Sequence, residues 1–154
     1  MSPHLLFRVM AIAEAVSWTL LLGGMALRAT AGLDIAVTIG GGIHGFVFLA
    51  YAVTAVLVAK NQRMGRWPAS VAIISAIIPY ATIPADVWLT RTGRLSGAWR
   101  RNATEDPRDH KWHDNLFRAV VRHPVFSCVV LLGSVAVVFT ALLALGSPLD
   151  RLPD

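Results

Sequence analysis

The chain has 154 residues, a length that would suit one soluble domain, yet 55% of them are hydrophobic and only 15% are charged. That balance excludes an ordinary soluble domain. A formal charge of +5 invites nucleic acid as a partner, but the basic residues border apolar blocks, no nucleic-acid motif accompanies them, and anionic lipid headgroups or an acidic protein surface fit better.

The apolar residues fall into four blocks, about 5–27, 37–59, 67–89 and 125–145. Each is long enough for a helix to cross roughly 30 Å of hydrocarbon at about 1.5 Å per residue. An open sheet would leave backbone groups unsatisfied in lipid, so the expected class is all-α: a polytopic membrane protein of four helices, with a long basic loop between the third and the fourth. Residues 1–90 are expected to form a three-helix unit, 91–122 a basic interfacial loop, and 123–154 the last helix and a tail.

The first block could be mistaken for a secretory signal, since Ala29-Thr30-Ala31 resembles a cleavage site. Its n-region lacks Lys and Arg and its apolar stretch is too long, so a retained span is expected. The block carries two ionisable residues: Arg8, near enough to the helix start to snorkel, and Glu14, which is not.

The second block holds Gly40-Gly41-Gly42-Ile43-His44-Gly45. Gly41 and Gly45 stand four apart on one face and should let another helix approach closely. A phosphate-binding loop is excluded, because no strand precedes these glycines and no helix begins after them. Measured along ideal helices from the cytoplasmic side, Glu14 falls roughly 20 Å, His44 roughly 10 Å and Asp86 roughly 5 Å deep. A His44–Asp86 contact is within reach of this spacing, and so is a Glu14–His44 contact. Such groups either bridge helices as structural elements or form a proton or ion relay.

The third block contains Pro79 and Pro84, each of which removes a backbone donor, so this helix is expected to kink and to leave carbonyls free near Ser75 and Thr82. Trp67, Trp88 and Trp99 lie near span ends and read as interfacial anchors.

The basic stretch that follows includes a short amphipathic helix near Trp112 to Val121, expected to lie on the membrane with Trp112 and Phe117 in the headgroup region. His110 and His113 beside Asp109 and Asp114 form an incomplete metal set, and a wet surface segment is the simpler reading. Pro124 should open the fourth helix. The lone Cys128 permits no internal disulfide, no second intramembrane imidazole supports a haem at His44, and no nucleophile is paired with a base. Neither enzyme activity nor a cofactor is therefore expected. Counting Lys and Arg places the 90–122 loop in the cytoplasm and both termini outside, although Lys60, Arg63 and Arg66 on the opposite face pull against that orientation.

Glu14-Ala15-Val16-Ser17-Trp18, then Gly42-Ile43-His44-Gly45 with Phe48 and Tyr51, then Ser75 with Ile78-Pro79-Tyr80, resemble a bacterial family of small integral membrane proteins that is a domain of unknown function. The resemblance covers about residues 5–90, with Ala15 where a Gly is usual, and leaves the last 60 or so residues unexplained. The overall form also resembles the respiratory supercomplex association factor, an accessory subunit of the actinobacterial cytochrome bcc–aa3 oxidase assembly. That second resemblance implies a non-catalytic subunit held against oxidase or reductase subunits, without haem or copper of its own. The alternative left open by the residues is a small homo-oligomeric transporter or proton-conducting protein using Glu14 and His44, with Asp86 in the relay and the Pro79–Pro84 segment as its gate.

Overall fold

In the computed structural model, which describes residues 1–145, six helices and two short 3-10 turns make up the regular structure, with no strand among the described residues. The helices are α1 (Pro3–Ala31), α2 (Asp34–Asn61), α3 (Arg66–Ile74), α4 (Thr82–Arg91), α5 (Trp112–Arg122) and α6 (Pro124–Leu145). They belong to two compact units, residues 1–100 and 101–154.

Helix α1 starts where Ser2, in extended conformation, accepts the amide of Leu5 on its hydroxyl, with Pro3 in the first turn where no partner for an N–H is needed. It stops at Gly32, whose φ of 67° is the left-handed cap that lets its amide return to Arg28 O. Arg28 and Asp34 pair across the resulting turn at 2.9 Å. With two residues between them, α1 and α2 run antiparallel side by side.

What holds these two helices together is close backbone approach. A Cβ on Gly24 would lie 2.6 Å from Ala36 O, and one on Gly40 would lie 2.7 Å from Leu20 O. The contact climbs about one turn at a time: Gly24 against Ala36, Leu20 against Gly40, then Ser17 against His44. Gly41 and Gly45 are placed differently. A Cβ at Gly41 would only graze Leu21 Cδ1 at 3.9 Å, and one at Gly45 would meet nothing. The glycines that pack α1 on α2 are therefore Gly24 and Gly40, and along α2 the seam follows Gly40 and His44, one position off the Gly41 and Gly45 singled out by spacing.

The continuous third span expected over 67–89 is interrupted and does not cross: its second half turns back along α1, with Thr82 at Ala11, Asp86 at Arg8 and Thr90 at His4. Helix α3 ends at Ile74, a 3-10 turn follows over Ser75–Ile77, Ile78 is extended, and Tyr80 has a φ of 63° before α4 begins at Thr82. Pro79 accounts for the break, since it offers no amide to the ladder and pushes Ile78 out of the helical region. Pro84 kinks nothing: it is the third residue of α4, in the first turn, where no intrahelical donor is required.

The core of the first unit comprises Phe7, Ala11, Tyr51, Ala55, Val58, Ala72, Ala76, Leu89 and Leu95. Leu95 shows that this unit extends beyond residue 90. The segment after α4 folds back, Trp99 Nε1 donating to Met1 O and Arg100 donating through Nε to Asn61 O and through Nη2 to Lys60 O. A cation on the last carbonyls of α2 also complements the helix dipole. Trp88 and Trp99 pack against the core, with Arg94 over the Trp88 ring at 4.8 Å, whereas Trp67 stays exposed as an anchor would.

Outside this core the helices are apolar on their exposed faces too. Val9, Ile12, Val16 and Leu20 on α1, and Ile35, Ile39, Ile43 and Phe46 on α2, all face outward. A soluble protein does not leave continuous apolar faces of this size uncovered. Helices α1 and α2 are each long and apolar enough to cross a membrane.

In the second unit Asp109 is buried, accepting from Thr104 N and Oγ1 at 2.9 and 2.7 Å and facing Arg118. Arg118 also donates to Asn115 Oδ1 and to Asp109 O. The segment read as wet surface thus has a small polar core of its own. Helix α5 is amphipathic as expected and leaves Trp112 and Leu116 exposed, but Phe117 turns inward, so the pair expected in the headgroups is split. Pro124 opens α6.

Candidate functional site

The polar residues that the sequence places at membrane depth converge on the first unit, in two groups. Glu14, fully buried on α1, and His44, on the facing turn of α2, are joined through Ser17. Ser17 lies three residues after Glu14, one turn along the same face. Its hydroxyl is 2.9 Å from Glu14 O, 3.2 Å from Glu14 Oε2 and 2.9 Å from His44 Nδ1. Glu14 Oε2 lies 3.9 Å from His44 Nδ1, so the hydroxyl bridges a pair too far apart for a direct hydrogen bond. Glu14 Oε1 is buried with no hydrogen-bond partner among the described residues.

Aromatic rings close the site. The Trp18 ring centroid is 4.3 Å from that of His44, and Phe48 stands on the other side at 6.2 Å. Trp18 uses its Nε1 on Ala76 O, and Tyr51 donates its hydroxyl to Ala72 O and meets Ser75 Oγ at 3.0 Å. These donors satisfy carbonyls next to the break that Pro79 makes, where the expected free acceptors do appear near Ser75. Thr82, at the start of α4, turns its hydroxyl to Ala11 O at 2.9 Å.

Asp86 belongs to the second group. Its Oδ2 accepts from Arg8 Nε at 3.0 Å, and Arg8 reaches Thr90 Oγ1, which in turn meets His4 Nε2. The His44–Asp86 contact within reach of the sequence spacing is not formed, and the Glu14–His44 neighbourhood is. Arg8 lies about 9 Å along α1 from Glu14. It draws Asp86 to its own level, so a single relay of Glu14, His44 and Asp86 is not assembled.

Sequence reasoning singled out Glu14 and His44 but not the hydroxyl that links them. The signal was present in Glu14-Ala15-Val16-Ser17, a polar residue one helical turn from a buried acid. It also read Arg8 as a snorkelling cation without its partner.

A family model described as a domain of unknown function, DUF3817, matches residues 4–91. The chain belongs to this family. The match takes in α1 to α4, and with them Glu14, Ser17, His44, Asp86, Gly41, Gly45, Pro79 and Pro84; it bears out the resemblance drawn from the sequence over about 5–90. The chain is also similar to a Streptomyces coelicolor protein named as a membrane protein, 39% identical over 92 residues. Those residues are 58% of this chain but 11% of the relative, so the chain spans only about a tenth of the length of this curated relative. No solved structure matches. The DUF3817 chain is thus a membrane protein, by its two apolar helices, its outward-facing apolar residues and this likeness.

Proposed function

We propose that this DUF3817 chain is a non-catalytic accessory or assembly subunit of a larger membrane complex in the bacterial plasma membrane. The observation that carries it is the open face of α2: Gly41 and Gly45, four residues apart, have room above them, while the packing of α1 on α2 is done by Gly24 and Gly40. Beside them Ile43 and Phe46 are exposed. Small residues flanked by large apolar ones allow a second helix to approach at van der Waals distance, which is a main source of association in lipid. A related segment embedded in a far longer Streptomyces protein is in keeping with a unit that works beside other polypeptide.

The partner complex is the actinobacterial cytochrome bcc–aa3 oxidase assembly, an assignment that rests on the overall resemblance to its association factor. The chain is multi-pass: α1 and α2 cross and α6 crosses separately, while α3 and α4 form a re-entrant hairpin whose tip meets Trp18 at Ala76 and whose end returns to Arg8 and His4 at the start of α1. The basic stretch 90–122 meets anionic headgroups in the cytoplasm, and since Thr90 meets His4 and Trp99 meets Met1, the N-terminus lies on that side as well, in place of the outside position expected from the charge count. Replacing Gly41 or Gly45 with Leu tests the open face. The fold should survive, since neither Cβ meets the chain's own backbone, and the association should weaken; full association in both variants would end the proposal.

A second reading, a homo-oligomeric transporter or proton-conducting protein, is favoured by the buried Glu14–Ser17–His44 cluster. Asp86 drops out of its relay, being held by Arg8. Wild-type liposomes with no proton flux above empty controls would dismiss it.

A further inference from the structure

We propose that Glu14, Ser17 and His44 form a proton-exchange unit, in which His44 carries protons between the surroundings and the buried Glu14 carboxyl by way of the Ser17 hydroxyl. The inference deepens the second reading and rests on the same cluster, but it requires no flux across the membrane.

Ser17 has one hydroxyl proton and three acceptors within reach: Glu14 O, Glu14 Oε2 and His44 Nδ1. When the hydroxyl donates to Glu14 Oε2, the ring must carry a proton on Nδ1 to keep its own bond to Oγ. When it donates to Nδ1, Glu14 must carry the proton instead. With the hydroxyl turned to Glu14 O, both ends carry one. The same three heavy atoms, without moving, therefore support arrangements that differ in where the proton lies.

Access is asymmetric. The Glu14 side chain is fully buried, whereas that of His44 keeps 12% of its surface exposed. Its Nδ1 is committed to Ser17, so exchange requires that water reach Nε2 at this exposed edge of the ring. In the loading step Nε2 takes a proton from hydronium, Nδ1 releases its proton to Oγ, and the Oγ–H bond breaks as its proton passes to Oε2. The imidazole ends neutral with its proton moved from Nδ1 to Nε2, Ser17 is unchanged, and the carboxylate becomes a carboxylic acid. One proton is taken up and no electron moves.

Neighbouring groups do not compete. On α2 the other titratable side chain facing this interior is Tyr51, engaged with Ala72 O and Ser75; on α4 it is Asp86, paired with Arg8 of α1. From Trp67 to Ile77 no ionisable residue occurs.

The experiment uses the full chain in detergent with 15N-labelled histidine. Infrared spectra follow the protonated-carboxyl band that Glu14→Gln removes, and NMR reads the His44 tautomer, assigned through His44→Gln. As pH falls, the Glu14 band should rise in the same titration in which His44 passes from the Nδ1–H to the Nε2–H tautomer. His44→Gln should slow hydrogen–deuterium exchange of the Glu14 carboxyl at least about tenfold, as expected for loss of a positioned proton carrier. Ser17→Ala should abolish the coincidence of the two changes. Glu14 protonation with an unchanged His44 tautomer, no Glu14 band over the whole pH range of the folded protein, or unaltered exchange in His44→Gln would each overturn the proposal. Should Ser17→Ala fail to fold, the wild type and His44→Gln decide the matter. Liposomes without flux would remove conduction but leave this coupled titration standing.

Discussion

Gly40 lies so close to Leu20 that the two backbones touch: a Cβ on the glycine would stand 2.7 Å from the leucine carbonyl oxygen. No side-chain rotation relieves a clash with backbone, so the position admits only glycine unless α1 and α2 separate. Gly40→Ala, and likewise Gly24→Ala, should destabilise the first unit by about 1–3 kcal/mol, the usual cost of forcing a methyl into a filled site. Gly45→Ala should be near neutral. Thermal unfolding in one detergent compares the three directly, and equal midpoints for Gly40→Ala and Gly45→Ala would contradict the packing described.

The Arg8–Asp86 pair should respond asymmetrically to loss of either member. Asp86 is buried and Arg8 is part-exposed, with side-chain exposures of 8% and 42%. Arg8→Leu strands a carboxylate in the interior, while Asp86→Leu leaves a guanidinium that can reach outward. The first should cost about 1–2 kcal/mol, discounted from the figure for fully buried pairs because Arg8 is part-exposed, and the second less. Denaturation of the two variants side by side measures the difference, and the reverse order would refute the assignment of burial.

Tyr51→Phe keeps the ring in the core and removes only the hydroxyl that serves Ala72 O and Ser75 Oγ. About 1 kcal/mol of stability should go with it. Amide exchange should quicken locally over residues 72–77, where the helix already breaks, and not at Gly40.

Much of this was legible in the sequence because lipid restricts the choices. Four apolar blocks and a need for internal backbone pairing give helices, and the structure has helices throughout its described regular structure. Proline at 79 announced a disturbance of the third block. Its form, a break with Tyr80 in the left-handed region, depends on Trp18 and Tyr51 being placed to satisfy the carbonyls, which no local pattern states. Likewise the glycines were visible, but which of Gly40, Gly41 and Gly45 touches α1 depends on the rotation of α2, set by its whole interface. Glu14 and His44 stood out as costly residues at membrane depth. Asp86 could not be given its partner from depth, because a third block that crosses places it nearer His44, whereas α4 turns back toward the start of α1 and meets Arg8.

Isolation of the tagged chain from its native membranes in mild detergent tests its association most directly, with mass spectrometry of what accompanies it and a reduced-minus-oxidised spectrum. Oxidase or reductase subunits in stoichiometric amount, with their haem bands, are predicted for the wild type, and their loss from a folded Gly41→Leu/Gly45→Leu variant. A colourless preparation of the chain alone would contradict the account.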